Sequence, residues 1–378
     1  MSSLPLKQKI LIKNLTIQAA FLALVILFIW GAVSSARTNL ADLGISSGFA
    51  FLDRATGWSY SFSLIDRSID DSYRKTLFIG FLSTLFLGTV SIVLATILGF
   101  LVGTARDARN IAVQSAATIF VQIFRNIPLI VQIVFLYAIL IHLPGPRQAA
   151  SILELAFLSN RGLMVTGLNI PPLAGIGFLV FAVGVGFALR GLYKGSFKVK
   201  AAIWCGAVAL LGAALFLLFT PAGEGPLSIP ELKGLRFVGG INVPIELVAM
   251  IIGIVLYGSA YIAEVVRGGL QEVPRGLVEA GRALGLSPRS IWVRIKMPMA
   301  LRTIIPPLGN QWVFLMKATT IGVAIGFSDL FMIVSTSITQ SGQTLELIAI
   351  LMGAFLLINF SLAQLINLLN ARLKLKGQ

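Results

Sequence analysis

The stretch Glu279-Ala280-Gly281-Arg282-Ala283-Leu284-Gly285, followed after nine residues by Ile295 and then by Met297-Pro298, is a polar island between two long apolar runs. That contrast decides the fold. Pro274 suits the first turn of a helix, the run through Leu284 favours helix, and Gly285 offers the left-handed position that commonly ends one. Ser287-Pro288 then reads as an N-cap and first helical residue of a second short helix, with Ile291 and Ile295 four apart on one face, Trp292 beside them, and Pro298 as its end. A basic helical loop is also what many membrane proteins carry, so topology alone leaves docking and plain solvation both open.

Working outward, the 378-residue chain is 57% hydrophobic and only 12% charged, with a mean hydropathy of +0.91. A soluble globule with that composition lacks the polar surface to cover itself, so an integral membrane protein is expected. Apolar runs fall at Ile17 to Ala36, Thr76 to Thr104, Ile111 to Leu143, Leu173 to Leu189, Ala201 to Thr220, Val243 to Val266, Ile304 to Phe327 and Leu345 to Leu369. These predict an all-α bundle of about eight transmembrane helices, because the runs are far longer than the ~10-residue segments of a membrane barrel. The first run is longer than the core of a cleaved signal.

The net charge of +15 suggests nucleic acid at first sight. The cations, however, sit in the loops between apolar runs, which is the pattern of the positive-inside rule. With eight spans both termini share one side; placing that side in the cytoplasm gathers nineteen Lys and Arg in the inside segments and nine in the outside ones. The Glu279 loop, residues 267–303, is then cytoplasmic. A lone Cys205 and a lone His142 exclude an intrachain disulfide and argue against a His/Cys metal centre.

Four segments follow from this pattern: 1–72, with a tail, the first span and a polar Asp-bearing excursion outside; 73–142, a first membrane block; 143–241, a proline-rich segment with two spans; and 242–378, a second membrane block carrying the loop. Charges within or beside the apolar runs are the candidate pathway residues, since an ionised group at the bilayer centre needs a wet or paired setting. Arg125 and Asn126 precede a Pro128 kink, where Arg125 meets a substrate carboxylate, holds the bundle, or, because this run is too long for a ~30 Å core, anchors at the cytoplasmic interface. Glu264 and Arg267 are three apart, as an intrahelical pair would be. Lys317 sits mid-span, where pairing or a cavity suits it better than lipid, and Asp329 is expected near the outer mouth, solvated or greeting a partner.

The spacing E-A-A, three residues, G, nine residues, I-x-L-P resembles the coupling-loop signature of ATP-binding-cassette importer permeases, matched at Glu279, Ala280, Gly285, Ile295 and Pro298 and departed from at Gly281 and Met297. Tyr261 to Leu270, Phe124 to Gln132, Leu308 to Gln311 and Lys317 to Thr320 resemble the polar amino-acid uptake, HisM-like branch, with Leu277 and Ala318 as further departures. The length is most similar to the long permease subunit of general L-amino acid systems of the Aap/Bzt type. The resemblance implies a five-helix type I importer core at 73–142 and 242–378, plus the N-terminal helix and the two-helix insertion, in a bacterial inner membrane.

It also implies partners: ABC ATPase subunits docked on the loop, a second related permease subunit, and a periplasmic amino acid-binding protein, with membrane lipid around them and no nucleic acid. ATP and Mg²⁺ belong to the ATPase, and this chain holds no cofactor; it contains no G-x-x-x-x-G-K-[ST] phosphate loop. An ATP-independent secondary transporter or channel for small polar solutes is the alternative, but the paired broken helices expected of one are not seen in both halves. A membrane enzyme is poorly supported, because one His, one Cys and few carboxylates at membrane depth give little to build a catalytic set from.

Overall fold

The computed structural model describes residues 6–42, 48–108, 110–153, 155–168, 197–219, 227–234 and 236–373, with scattered positions between 178 and 189. The run Leu173 to Leu189 lies largely outside the described residues. Helices α1 (Leu6–Asp42), α2 (Tyr73–Ala105), α3 (Ile111–Asn126), α4 (Leu129–Ile141), α5 (Phe197–Phe219), α6 (Ile245–Gln271), α7 (Arg275–Ala283), α8 (Pro288–Ile291), α9 (Met297–Ala318), α10 (Leu330–Ser341) and α11 (Thr344–Leu373) carry most of the chain.

Four of these are long and apolar enough to cross a membrane: Lys13–Ala36 of α1, α2, α6 and Thr344–Ala371 of α11. The number rises to six when each of two bent pairs is counted as one broken span, namely α3 with α4, bent by 101°, and Pro288–Ile325 with α10, bent by 49°. The single span expected over Ile111 to Leu143 is therefore two helices. Pro128 cannot donate a backbone hydrogen bond and its ring excludes the helical conformation of Ile127, which lies at φ −93°, ψ 128°. Gln132 repairs the break. Its side-chain amide donates to the carbonyls of Phe124 (2.9 Å) and Ile127 (2.8 Å), so the freed acceptors are satisfied inside the fold.

The core gathers α2, α4, α6 and α9, with Leu87, Ile133, Met250, Ile254, Ile262, Ile304 and Leu315 among its fully buried side chains. Close approach of α2 and α6 rests on a G-x-x-x-G pair, Gly99 and Gly103. A Cβ on Gly99 would stand 2.6 Å from Ile262 Cβ, and one on Gly103 would stand 2.8 Å from the Ala263 carbonyl oxygen. Apolar tails of lipid offer no hydrophobic drive for helix association, so backbone-to-backbone packing through small residues is what holds such a pair.

At the Tyr73 end of the bundle, the polar segment 48–72 folds back on the helices rather than standing in solvent. Phe51, Tyr60, Tyr73, Leu77, Ile79, Leu330 and Leu347 form a second buried cluster there. Phe62 stacks between Phe86 (6.1 Å) and Phe327 (5.7 Å), and Ser61 N donates to Ser328 Oγ at 3.1 Å. Two acids of the segment are paired on its surface, Asp53 with Arg74 and Asp71 with Lys75, both at 2.8 Å. The bond from Lys75 is the main cause that holds the Asp71 carboxyl below its usual range.

The expectation of an all-α chain needs correcting, because short strands occupy both ends of the 143–241 segment. Ala150–Ile152, Ala156–Ser159, Gly162–Val165 and Ile241–Val243 form one antiparallel sheet, and Leu163 pairs with Val243 in its register. Gly167–Leu168 pairs with Leu227–Ser228 immediately beyond. The chain between them thus departs and returns on a two-stranded stalk. Strands of two to four residues are too short to show alternation among prolines and glycines, so no period marks them. Within the segment α5 is apolar, and Trp204 Nε1 donates to the Ala182 carbonyl at 2.7 Å.

Candidate functional site

The loop around Glu279 is built as a rigid bracket. α7 ends in a Schellman motif: Gly285 lies at φ +74°, its N–H meets the Arg282 carbonyl (2.9 Å), and Leu286 N–H reaches the Gly281 carbonyl (3.0 Å). Ser287 caps α8 by accepting from Ser290 N, with Pro288 at the first helical position. Gly281 is buried, and the gap left by its missing methyl is filled by Ile295 Cδ1, 2.8 Å from where a Cβ would stand, with Ile291 Cγ1 at 3.2 Å. Ile291 and Ile295 therefore clamp α8 and the turn after it onto α7.

The outer surface of the bracket is different. Glu279, Ala280 and Gly285 are exposed, and so are Leu277 (42%), Leu284 (80%), Trp292 (39%) and Val293 (52%). Large apolar side chains left exposed on an otherwise polar bracket make it a candidate contact surface. Ile291 and Ile295 thus anchor the bracket, while Trp292 stands outside it.

Pro298 does not close the second helix. Trp292–Lys296 is a π-turn, and the helix runs without interruption from Pro288 through Ala318. Met297 N–H bonds to the Trp292 carbonyl, five residues back. Widening the helix in this way relieves the clash that Pro298 would make with the carbonyl four residues before it, and it spares the N–H that Pro298 lacks. The bracket and the long helix α9 are one rod. Lys296 pairs with Asp107 just beyond α2, so the rod is also tied to the end of a second membrane helix. A cleft of about 670 Å³ opens beside this tie, lined by Gln271, Arg275, Glu279 and Arg282 among others.

Above the bracket, one carboxylate collects three guanidinium groups. Glu264 on α6 pairs with Arg267 one turn along (Nε to Oε1 3.1 Å), with Arg106 at the end of α2, and with Arg125 in the last turn of α3 at 3.4 Å. The Arg125 guanidinium also lies over the Tyr261 ring, 5.1 Å from its centroid, and Tyr261 contacts Tyr257 (4.8 Å), which stacks on Phe314 (5.9 Å). The intrahelical Glu264–Arg267 pair matches the spacing argument. The sequence marks Arg106 and Asp107 only as loop charges, and no local signal pairs them with residues 158 and 189 positions away.

The remaining candidates separate. Asn126 is exposed and its amide donates to Gln122 Oε1 at 3.3 Å. Pro128 caps α4. Lys317 is exposed on α9. Asp329 is not solvated: it is 0% exposed and caps α10 by accepting from Met332 N at 2.9 Å. Its place is set by the break between the 3₁₀ turn Thr319–Ile325 and α10, where the freed N–H groups need an acceptor.

Residues 95–375 match the model of the binding-protein-dependent transport system inner membrane component family. The chain belongs to that family. The permease is 39% identical over 349 residues to the putative amino-acid ABC transporter permease protein YhdX of Escherichia coli (strain K12), covering 89% of this chain and 88% of that one. It is 33% identical to the general L-amino acid transport system permease protein AapQ of Rhizobium johnstonii, covering 96% and 92%. It is 28% identical to the glutamate/glutamine/aspartate/asparagine transport system permease protein BztB of Rhodobacter capsulatus, covering 96% and 94%. Among solved structures, a chain of an amino acid ABC transporter with histidines matches with a TM-score of 0.48 and 17% identity, over 79% of the permease and 95% of that chain. As a member of this family the permease is a transport subunit and not an enzyme.

Proposed function

We propose that this chain is one of two permease subunits of an ATP-driven amino acid importer, forming half of the translocation pathway and receiving the ATPase on the bracket 275–298. The observation that carries the reading is the continuity of that bracket with α9. An exposed contact surface fused through a π-turn to a membrane helix can pass a displacement of a docked partner into the bundle as a rigid-body movement. Amino acids are the substrate class because the relatives of like length are named as amino-acid permeases.

In this reading the bracket is cytoplasmic, as the excess of cations on its side favours, and both termini share that side. Eight spans complete the topology, two of them in the 143–241 segment. A periplasmic binding protein delivers the solute, and a second, related permease supplies the other half of the pathway. Glu279 and Ala280 face the ATPase, Gly285 fixes the turn, Gly281 and Ile295 hold the bracket together, and Pro298 joins it to α9.

Reconstitution tests the reading. The chain, a related permease, an ATPase subunit and a binding protein are placed in liposomes with labelled amino acids. Uptake that requires both ATP and the binding protein is expected, and ATP-independent uptake by this chain alone would refute it.

A further inference from the structure

Lys317 has an unusual address. Its neighbour Leu315 packs on Gly258, the central residue of the 27-residue helix α6, where a Cβ would stand 2.8 Å from the Leu315 methyls. Its other neighbour, Met316, fills the space above Gly88, one position from the centre of the 33-residue α2. Lys317 thus stands level with the middles of two helices long enough to cross a membrane, the depth that corresponds to the middle of a ~30 Å hydrocarbon core when both helices span it. It is nonetheless exposed on the surface of the chain, and no acid among the described residues forms an ion pair with it. A lysine in lipid at that depth is among the costliest residues to insert. Its surface therefore faces water or a polar partner.

The residues around it form a track. Asn310, Phe314 and Lys317 are exposed at positions i, i+4 and i+7 on α9. Phe314 stacks on Tyr257, which contacts Tyr261, and Arg125 lies over Tyr261 beside the Glu264 cluster. Of the chain's thirty Lys and Arg, only Arg125 and Lys317 fall inside the apolar runs of the sequence, and this track holds both. From the midplane to the Arg106 end it carries Lys317, Arg125, Arg106 and Arg267 against the single carboxylate of Glu264.

We infer that Lys317 is a carboxylate-binding position at the membrane midplane, and that the track favours acidic and zwitterionic amino acids over those with cationic side chains. This rests on the importer reading above. A substrate carboxylate entering from water finds in Lys317 a cation that no acid among the described residues pairs with, and the ring faces of Phe314 and Tyr257 beside it can accept the α-ammonium. Four cations against one carboxylate repel a substrate that carries a second positive charge.

The test uses the complete complex in proteoliposomes with one binding protein throughout, and labelled L-glutamine and L-glutamate as probes. Lys317→Gln should lower uptake of both by about tenfold or more, the size of one lost charge-assisted hydrogen bond, while Lys317→Arg keeps it. In a Cys205→Ser background, Lys317→Cys should react with an aqueous aminoethyl methanethiosulfonate. That reaction restores a cation and should recover uptake; the sulfonatoethyl reagent should not. Undiminished uptake by Lys317→Gln, or a thiol in the Lys317→Cys variant that stays unreactive because lipid or a packed interface covers it, would overturn the inference. Absence of ATP-dependent uptake in the unsubstituted complex would refute the importer reading instead.

Discussion

Glu264 Oε2 lies 3.4 Å from Nη1 of Arg125, and the same carboxylate holds Arg106 and Arg267. One acid thus ties the ends of α2, α3 and α6. The Glu264 side chain is 29% exposed, so screening limits each contact, but removing the acid leaves three guanidinium groups facing one another. Glu264→Gln is expected to cost about 1–3 kcal/mol, read as a lower unfolding midpoint in detergent. Arg125→Gln should cost less than about 1 kcal/mol, since Glu264 keeps two partners and Arg125 is 39% exposed. A larger loss for Arg125 than for Glu264 would show that the acid is not the hub.

Gln132 closes the wound that Pro128 opens. Gln132→Leu keeps the volume while leaving the Phe124 and Ile127 carbonyls without their donor, and it should destabilise by about 1–3 kcal/mol. Thermal unfolding of the purified chain measures it. An unchanged midpoint would mean that solvent or another group already satisfies those carbonyls.

Gly281 and Gly285 predict opposite outcomes four residues apart. Gly281→Ala gains up to ~1 kcal/mol of helix propensity but must displace the terminal methyl of Ile295 (2.8 Å) and crowds Ile291 Cγ1 (3.2 Å); both are side-chain atoms that can shift by a few tenths of an ångström, so stability and uptake should stay close to the starting chain. Gly285→Pro cannot adopt φ +74° and loses the N–H that meets Arg282. It should abolish ATPase docking or uncouple hydrolysis from uptake, measured by co-purification and by ATP consumed per solute moved. Normal transport by Gly285→Pro would remove the bracket from the mechanism.

Much of this architecture is legible in the residues because it is local. Gly285, Ser287 and Pro288 declare their turn by chemistry that acts within five positions, and the long runs at Thr76, Val243 and Leu345 declare helices by composition. The failures share one cause, which is that a distant or compensating group decides the outcome. Pro298 reads as a helix end, yet the π-turn upstream accommodates it. Asp329 reads as a surface acid, yet the break before α10 needs a buried cap. The strands around Val165 and Val243 exist because two segments far apart in sequence meet, and neither is long enough to show a period alone. Arg106 and Asp107 find their partners across the bundle. The G-x-x-x-G of Gly99 and Gly103 is plain in the sequence, but only the packed bundle shows that its small-residue surface sets the α2–α6 contact.

The central claim is that the bracket is the surface on which the ATPase sits, and cross-linking reads it most directly. With Cys205→Ser as background, Leu284→Cys places one thiol on the most exposed large apolar residue of the bracket, at 80% exposure. In the assembled complex a short thiol–amine cross-linker should join that position to the ATPase subunit, with a yield that changes between ATP-bound and nucleotide-free states. An intact, ATP-hydrolysing complex in which Leu284→Cys reacts freely with water-soluble reagents and never joins the ATPase would contradict the account.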